Sequence, residues 1–190
     1  MAENRTLVRP SRDPAIATFA LLPSGSVRAP EMHMPLPVKL QDVIEAIEPL
    51  SEEWNAHINP GTGEIVCYTE EEATMAESDD DLPEWFVEHA PRVREARASK
   101  EFIELPGPFE FHEYAVMERF VNSLPSPVRD RVLAAMRGRR TFRGFKDAIF
   151  KEDVEDQWYR WRDQALKELA IDFLEAEGIA YVHEVPESGI

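Results

Sequence analysis

A turn set between two alternating stretches constrains this chain most. WNAHI (54–58) is followed by N-P-G-T-G (59–63) and then by E-I-V-C-Y-T (64–69). Trp54, Ala56 and Ile58 alternate before the turn; after it Ile65 and Cys67 form one set, and Val66 and Tyr68 the other. A period of two puts alternate side chains on opposite faces of a strand, and Asn, Pro and Gly are the residues that pre-set turns or accept positive φ. The spacing predicts a β-hairpin. A second constraint lies near the end of the chain. From Val154 to Ala176, Trp158, Trp161, Ala165, Leu166, Leu169, Phe173 and Leu174 share one helical face, and Gly178 sits where a C-terminal cap is expected. Hairpin and long helix together predict an α+β fold. A small antiparallel sheet, the hairpin plus one or two short strands, would pack with several helices on one side.

The intervening segments supply those elements. Leu40, Val43, Ile44 and Ile47 recur at helical spacing and Pro49 stops the run. The acidic stretch Glu70, Glu71, Glu72, Glu77, Asp79, Asp80 and Asp81 reads as a solvated loop, because it lacks the spacing of a calcium-binding loop. Asp81 is placed to cap a helix starting at Pro83 that would bury Trp85, Phe86 and Val93 and bend at Pro91. Glu101–Pro106 reads as a strand partnering the hairpin. Residues 110–123 read as a helix with Tyr114, Met117 and Phe120 on one face, and Ser126 caps a further helix with Pro127 in its first turn. I-A-Y-V-H-E-V (179–185) suits a final edge strand.

Residues 1–38 have a different character. Six of the 15 prolines fall within the first 37 residues (Pro10, Pro14, Pro23, Pro30, Pro35, Pro37), which excludes a long helix there. Residues 15–22 after several arginines, with Val27-Arg28-Ala29, have the form of a secretory signal, but Asp13 and the short apolar run favour an extended arm laying Ile16, Phe19, Leu21 and Leu22 on the core. The expected organisation is an N-terminal extension over 1–38, one domain over 39–183 and a tail over 184–190.

Charge excludes several classes of function. Lys plus Arg number 21 against 37 Asp plus Glu, a net charge of −16. Such a field repels polyanions and anionic membranes, so general nucleic-acid coating is not expected, and no run approaches the ~20 apolar residues of a membrane span. One cysteine rules out an intramolecular disulfide and any cysteine-rich metal site. The expectation is a cytoplasmic protein. No phosphate-binding glycine loop, nucleophile elbow or H-E-x-x-H pattern is present, and none of His33, His57, His89, His112 and His183 is spaced three or four from another. Cys67 reads as a packing thiol, and His112 with Glu113 as capping and surface groups. No catalytic residue, metal ligand or cofactor is assigned.

One segment runs against the acidic background. Residues 137–147 read R-G-R-R-T-F-R-G-F-K-D. Arg137, Arg139, Arg140, Arg143 and Lys146 are five cations with no acid before Asp147. Gly138 and Gly144 reduce bulk so that backbone amides can approach a ligand. On a helix beginning near Thr141, the spacings of Arg139, Arg143 and Lys146 bring them to one face near its N-terminus, which suits an anion. Phe142 and Phe145 are expected to anchor the helix inward. In the competing reading, these cations pair with the protein's own acids at 70–81 or with Glu152, Asp153, Glu155 and Asp156. Arg160 and Arg162 beside Trp158, Tyr159 and Trp161 add an aromatic–arginine mixture of the kind found at interfaces.

These motifs carry a family resemblance. Thr62-Gly63-Glu64, Phe102-Ile103 with Leu105-Pro106, Tyr114/Met117/Phe120, Gly138-Arg139, Phe142-Arg143, Phe145-Lys146-Asp147, and Trp158-Tyr159 with Arg162-Asp163 follow one another in order. Over about residues 39–177 the series resembles bacterial uncharacterised protein family number 158. The resemblance implies no activity. It implies that the arginine–phenylalanine segment is a family hallmark, with Gly138, Phe142, Phe145, Asp147, Trp158, Tyr159 and Arg162 as its supporting residues.

Two classes of function follow. One is a non-catalytic binding or regulatory module whose Arg139, Arg140, Arg143 and Lys146 hold an acidic or phosphate-bearing ligand or protein partner. The other is a small enzyme acting on a phosphorylated or carboxylated molecule, with His57, Glu64 or Asp147 moving protons beside a closed pocket. A purely structural salt-bridge network is the third possibility.

Overall fold

The computed structural model describes residues 37–49, 51–78, 82–137 and 140–183. The N-terminal arm and its signal-like run, Asp79, Asp80 and Asp81, Gly138 and Arg139, and the tail over 184–190 lie outside the described residues.

The hairpin forms as its alternation requires. β2 (Trp54–Ile58) pairs antiparallel with β3 (Ile65–Thr69), from Trp54 opposite Thr69 to Ile58 opposite Ile65. Asn59 closes the turn: its side-chain oxygen accepts from the Gly61 and Thr62 amides at 2.9 and 3.2 Å, and Gly63 takes φ 76°. β4 (Ile103–Glu104) adds to the other edge of β2, giving the order β3-β2-β4. The last segment also becomes a strand, β5 (Tyr181–Val182). It pairs parallel with β1 (Val38–Lys39) as a separate two-stranded sheet instead of extending the hairpin.

Helices cover the three-stranded sheet on both faces, not one. Because side chains of β3 alternate, Val66 and Tyr68 point to one core and Ile65 and Cys67 to another. The smaller core joins Val66 and Tyr68 to Ala73, Ala76, Phe86, Val93 and Phe102. It lies beneath α2 (Glu70–Glu77) and α3 (Ala90–Ala98). The larger core unites α1 (Leu40–Ile47) with α4 (Pro108–Phe111), α5 (Glu113–Ser123), α6 (Ser126–Ala135), α7 (Thr141–Lys151) and α8 (Glu155–Ala176).

Four expectations are corrected here. The acid-rich stretch up to Glu77 is helix α2, because Thr69 and Glu72 make a capping box. The Glu72 amide donates to Thr69 Oγ1, and Glu72 Oε2 accepts from the Thr69 amide at 2.7 Å. Glu70, Glu71 and Glu72 then occupy the first turn, where the helix dipole favours negative charge. Residues 84–89 are turns, and Pro91 stands in the first turn of α3 instead of bending a longer helix; Phe86 and Val93 are buried but Trp85 is exposed. Tyr114 lies on the outside of α5, whose buried face is Val116, Met117, Phe120 and Val121; His112 at φ 48° breaks the chain between α4 and α5. Ser126 is the first residue of α6 and not its cap, and its hydroxyl donates to Asp130.

The ends of α7 and α8 are built alike. In α8 Gly178, at φ 68°, sends its amide to the Glu175 carbonyl, and the Ile179 amide reaches the Leu174 carbonyl at 2.8 Å. In α7 Asp153, at φ 58°, sends its amide to the Phe150 carbonyl and Val154 reaches Ile149 at 3.0 Å. Each closure satisfies two terminal carbonyls and brings a buried apolar pair together, Ile179 with Leu174 and Val154 with Ile149. The second closure leads directly from α7 into α8.

Candidate functional site

The basic segment enters α7 at Arg140, whose carbonyl accepts the Gly144 amide at 2.7 Å. Thr141 begins the helix where the arginine spacing requires it. Phe145 and Ile149 form the buried face. Phe145 meets Trp158 edge-on at 4.8 Å between ring centroids, and both rings abut Phe120. Edge-to-face aromatic pairs of this kind are worth about 0.5–1.5 kcal/mol each beyond simple burial. Phe145 and Trp158 therefore fasten α7 to α8, with Phe120 of α5 between them.

Two residues of the basic segment behave differently from expectation. Phe142 does not anchor the helix: it lies three residues ahead of the buried Phe145 yet is 49% exposed. The buried face centres between Phe145 and Ile149, so at about 100° per residue Phe142 falls on its flank. Gly144 does not open the backbone to a ligand either. A β-carbon there would overlap the Ala135 carbonyl oxygen, so this glycine lets α7 lie directly against α6.

The cations of the segment are left facing water. Arg140, Arg143 and Lys146 are all exposed. Arg143 approaches Asp147 only at 3.9 Å, with both side chains 75% accessible. Among the described residues, Arg140 and Lys146 have no acid partner. Two of the acids proposed as their partners, Glu77 and Glu152, pair with other bases. Arg97 takes Glu77, Arg92 takes Glu64 and Glu95, and Arg131 takes Glu152 at 2.7 Å. The Arg131 guanidinium, hydrogen-bonded across the carboxylate, holds Glu152 below the ordinary carboxylate range.

Arg162 is a clamp, not part of an open surface. It donates to the Glu48 carbonyl at 3.3 Å, lies 3.6 Å from Glu113 and caps the Phe111 ring, tying α8 to α1, α4 and α5. Glu113 is thereby engaged structurally. Tyr159 is exposed and leans on Glu155.

Beside the basic segment runs an open groove of about 490 Å³, lined by Tyr114, Glu118, Leu133, Met136, Arg137 and Thr141. The Tyr114 hydroxyl donates to Glu118, which raises its pKa. The spacing of the sequence does not reveal this groove, because its walls come from three helices. None of the groups considered for proton transfer lines it: Asp147 is exposed beside Arg143 on α7. His57 faces Tyr68 at 3.3 Å on the sheet; its pKa is lowered chiefly by burial, with Glu104 opposing and Arg97 adding. Glu64 is held by Arg92, and burial raises the Cys67 thiol, as suits a packing group. Among the described residues no three His, Cys, Asp or Glu side chains are grouped to hold a metal ion, and no helix is long and apolar enough to cross a membrane.

Neither the curated proteins nor the solved structures yield a match to this chain. One family does match, over residues 35–187, a span that holds the hairpin, the basic helix and α8. The chain belongs to the Uncharacterised protein family (UPF0158).

Proposed function

We propose that this protein is a non-catalytic binding module whose basic segment, displayed on the first turns of α7, holds an acidic or phosphate-bearing partner. One observation carries the reading. In a chain with 37 acids, Arg140 and Lys146 stand exposed with no acid partner among the described residues, and Arg143 is only loosely held by Asp147. Internal neutralisation was available and went to Arg92, Arg97 and Arg131 instead. Exposed guanidinium and ammonium groups keep their donors for a foreign anion, and guanidinium offers bidentate geometry. Arg139 joins them on the ground of sequence spacing alone.

The test is direct binding of inorganic polyphosphate, a phosphoserine peptide and a short RNA to the full chain and to its Arg140→Ala/Arg143→Ala/Lys146→Ala variant, at low and high salt. At least one probe should bind, weaken with salt, and lose about tenfold or more in the variant, since charge-assisted contacts are worth about 1.5–3 kcal/mol each. No binding by any probe, or equal binding by the variant, ends the proposal.

A further inference from the structure

The exposed side of α7 carries more than charge. Phe142, Lys146 and Phe150 follow one another at steps of four, so they form a single stripe along the helix. Phe142 is 49% exposed and Phe150 74%, with Lys146 open between them. Arg143 flanks the stripe on its outer side. Gly144, which faces α6, lies roughly 160° around the helix from Lys146, so the stripe is turned away from the neighbour that α7 packs against most closely. Phe145 and Ile149 are the buried residues of α7, and the exposed parts of the two outer rings lie outside that anchoring face. The stripe is thus apolar, cationic, apolar over about 12 Å of helix.

Resting on the anion-binding reading above, we infer that this stripe docks an acidic amphipathic helix of another protein. The partner would carry a Glu or Asp between two apolar side chains spaced four residues on either side. Its carboxylate meets Lys146 and Arg143, and its apolar pair covers Phe142 and Phe150. Charge complementarity selects this occupant. A second copy of the chain laying its own α7 on the stripe would set Lys146 and Arg143 against their equivalents, a repulsive arrangement. A long nucleic-acid strand meets the field of a molecule at −16, whereas a short acidic helix brings few charges and gains from both rings.

The experiment is selection of a displayed random-peptide library on the full chain. The enriched peptides are then measured against wild type, Phe142→Ser/Phe150→Ser and Lys146→Glu. The expected consensus is an acid bracketed by apolar residues at four-residue spacing. Affinity should fall about tenfold or more in each variant. A peptide with the central acid changed to Lys should recover binding to Lys146→Glu, a result that loss of folding cannot mimic. An empty selection, a consensus without the bracketed acid, or binding indifferent to Phe142→Ser/Phe150→Ser overturns the inference. In those cases polyphosphate or phosphopeptide binding that still depends on Arg143 and Lys146 leaves the broader anion-binding reading standing; RNA binding alone would mean that the rings serve bases, not a peptide.

Discussion

Gly144 shows how a residue can look functional for one reason and matter for another. In the sequence it sits among arginines and suggests room for a ligand. In the fold its missing side chain is filled by the Ala135 carbonyl of α6. Gly144→Ala should therefore destabilise the protein by about 1–3 kcal/mol, even though alanine favours helix by about 1 kcal/mol over glycine, because backbone must move to admit the methyl. Urea unfolding of the variant measures this, and an unchanged or raised midpoint would contradict the close α6–α7 approach. Phe142 teaches the same lesson. Spacing of three places two side chains within reach of one face, but which member lies at its centre depends on where the neighbouring helices stand. Phe145 is central because Phe120 and Trp158 meet it there, and these come from α5 and α8. No local pattern encodes that meeting.

At the scale of elements, what the sequence states clearly is what short-range periodicity can state. The hairpin, α1, α6 and α8 stand within a residue or two of where alternation, proline and glycine put them. The helix α2 is legible as well, through Thr69 and Glu72 at capping-box spacing, although the carboxylate run without that box has the form of a solvated loop. The placement of α2 and α3 on the second face of the sheet was not legible, because Val66 and Tyr68 look like either side of a strand until a helix covers one. The seam between the sheet and α3 carries a polar network: Tyr68 Oη against His57, with Arg97 above the Tyr68 ring and Glu104 across from His57. Burial, its largest influence, holds His57 below its ordinary pKa of 6.5. The unfolded chain then takes up the proton first as pH falls, so stability is full above about pH 6.5 and declines from there down to the folded pKa. His57→Gln should lose this part of the decline. Urea midpoints for wild type and variant at about pH 7.5 and about pH 5.5 make the comparison, and equal losses in both would remove His57 from the account.

For the whole molecule, the excess of acid is distributed rather than cancelled. Paired bases join helices to one another and to the hairpin: Arg92 and Arg97 reach from α3, Arg131 from α6 and Arg162 from α8. The exposed cations of α7 are spared that duty. Composition alone announced the imbalance, and the sequence located the basic island. Only the folded arrangement separates bases that hold the molecule together from bases that face outward.

The sheet divides the interior, and the two portions are unequal. Beneath α2 and α3, four of the nine buried residues are alanines (Ala73, Ala76, Ala90 and Ala96), so little apolar area is removed from water there, whereas the opposite side buries large aromatic and aliphatic groups. The thinner side should breathe as a unit while the thicker side stays closed. Native-state hydrogen exchange would show it: amides of residues 70–77 and 90–98 should trade their protons at a free energy well under that of α8. Uniform protection across both would mean that the sheet transmits cooperativity as a rigid plate.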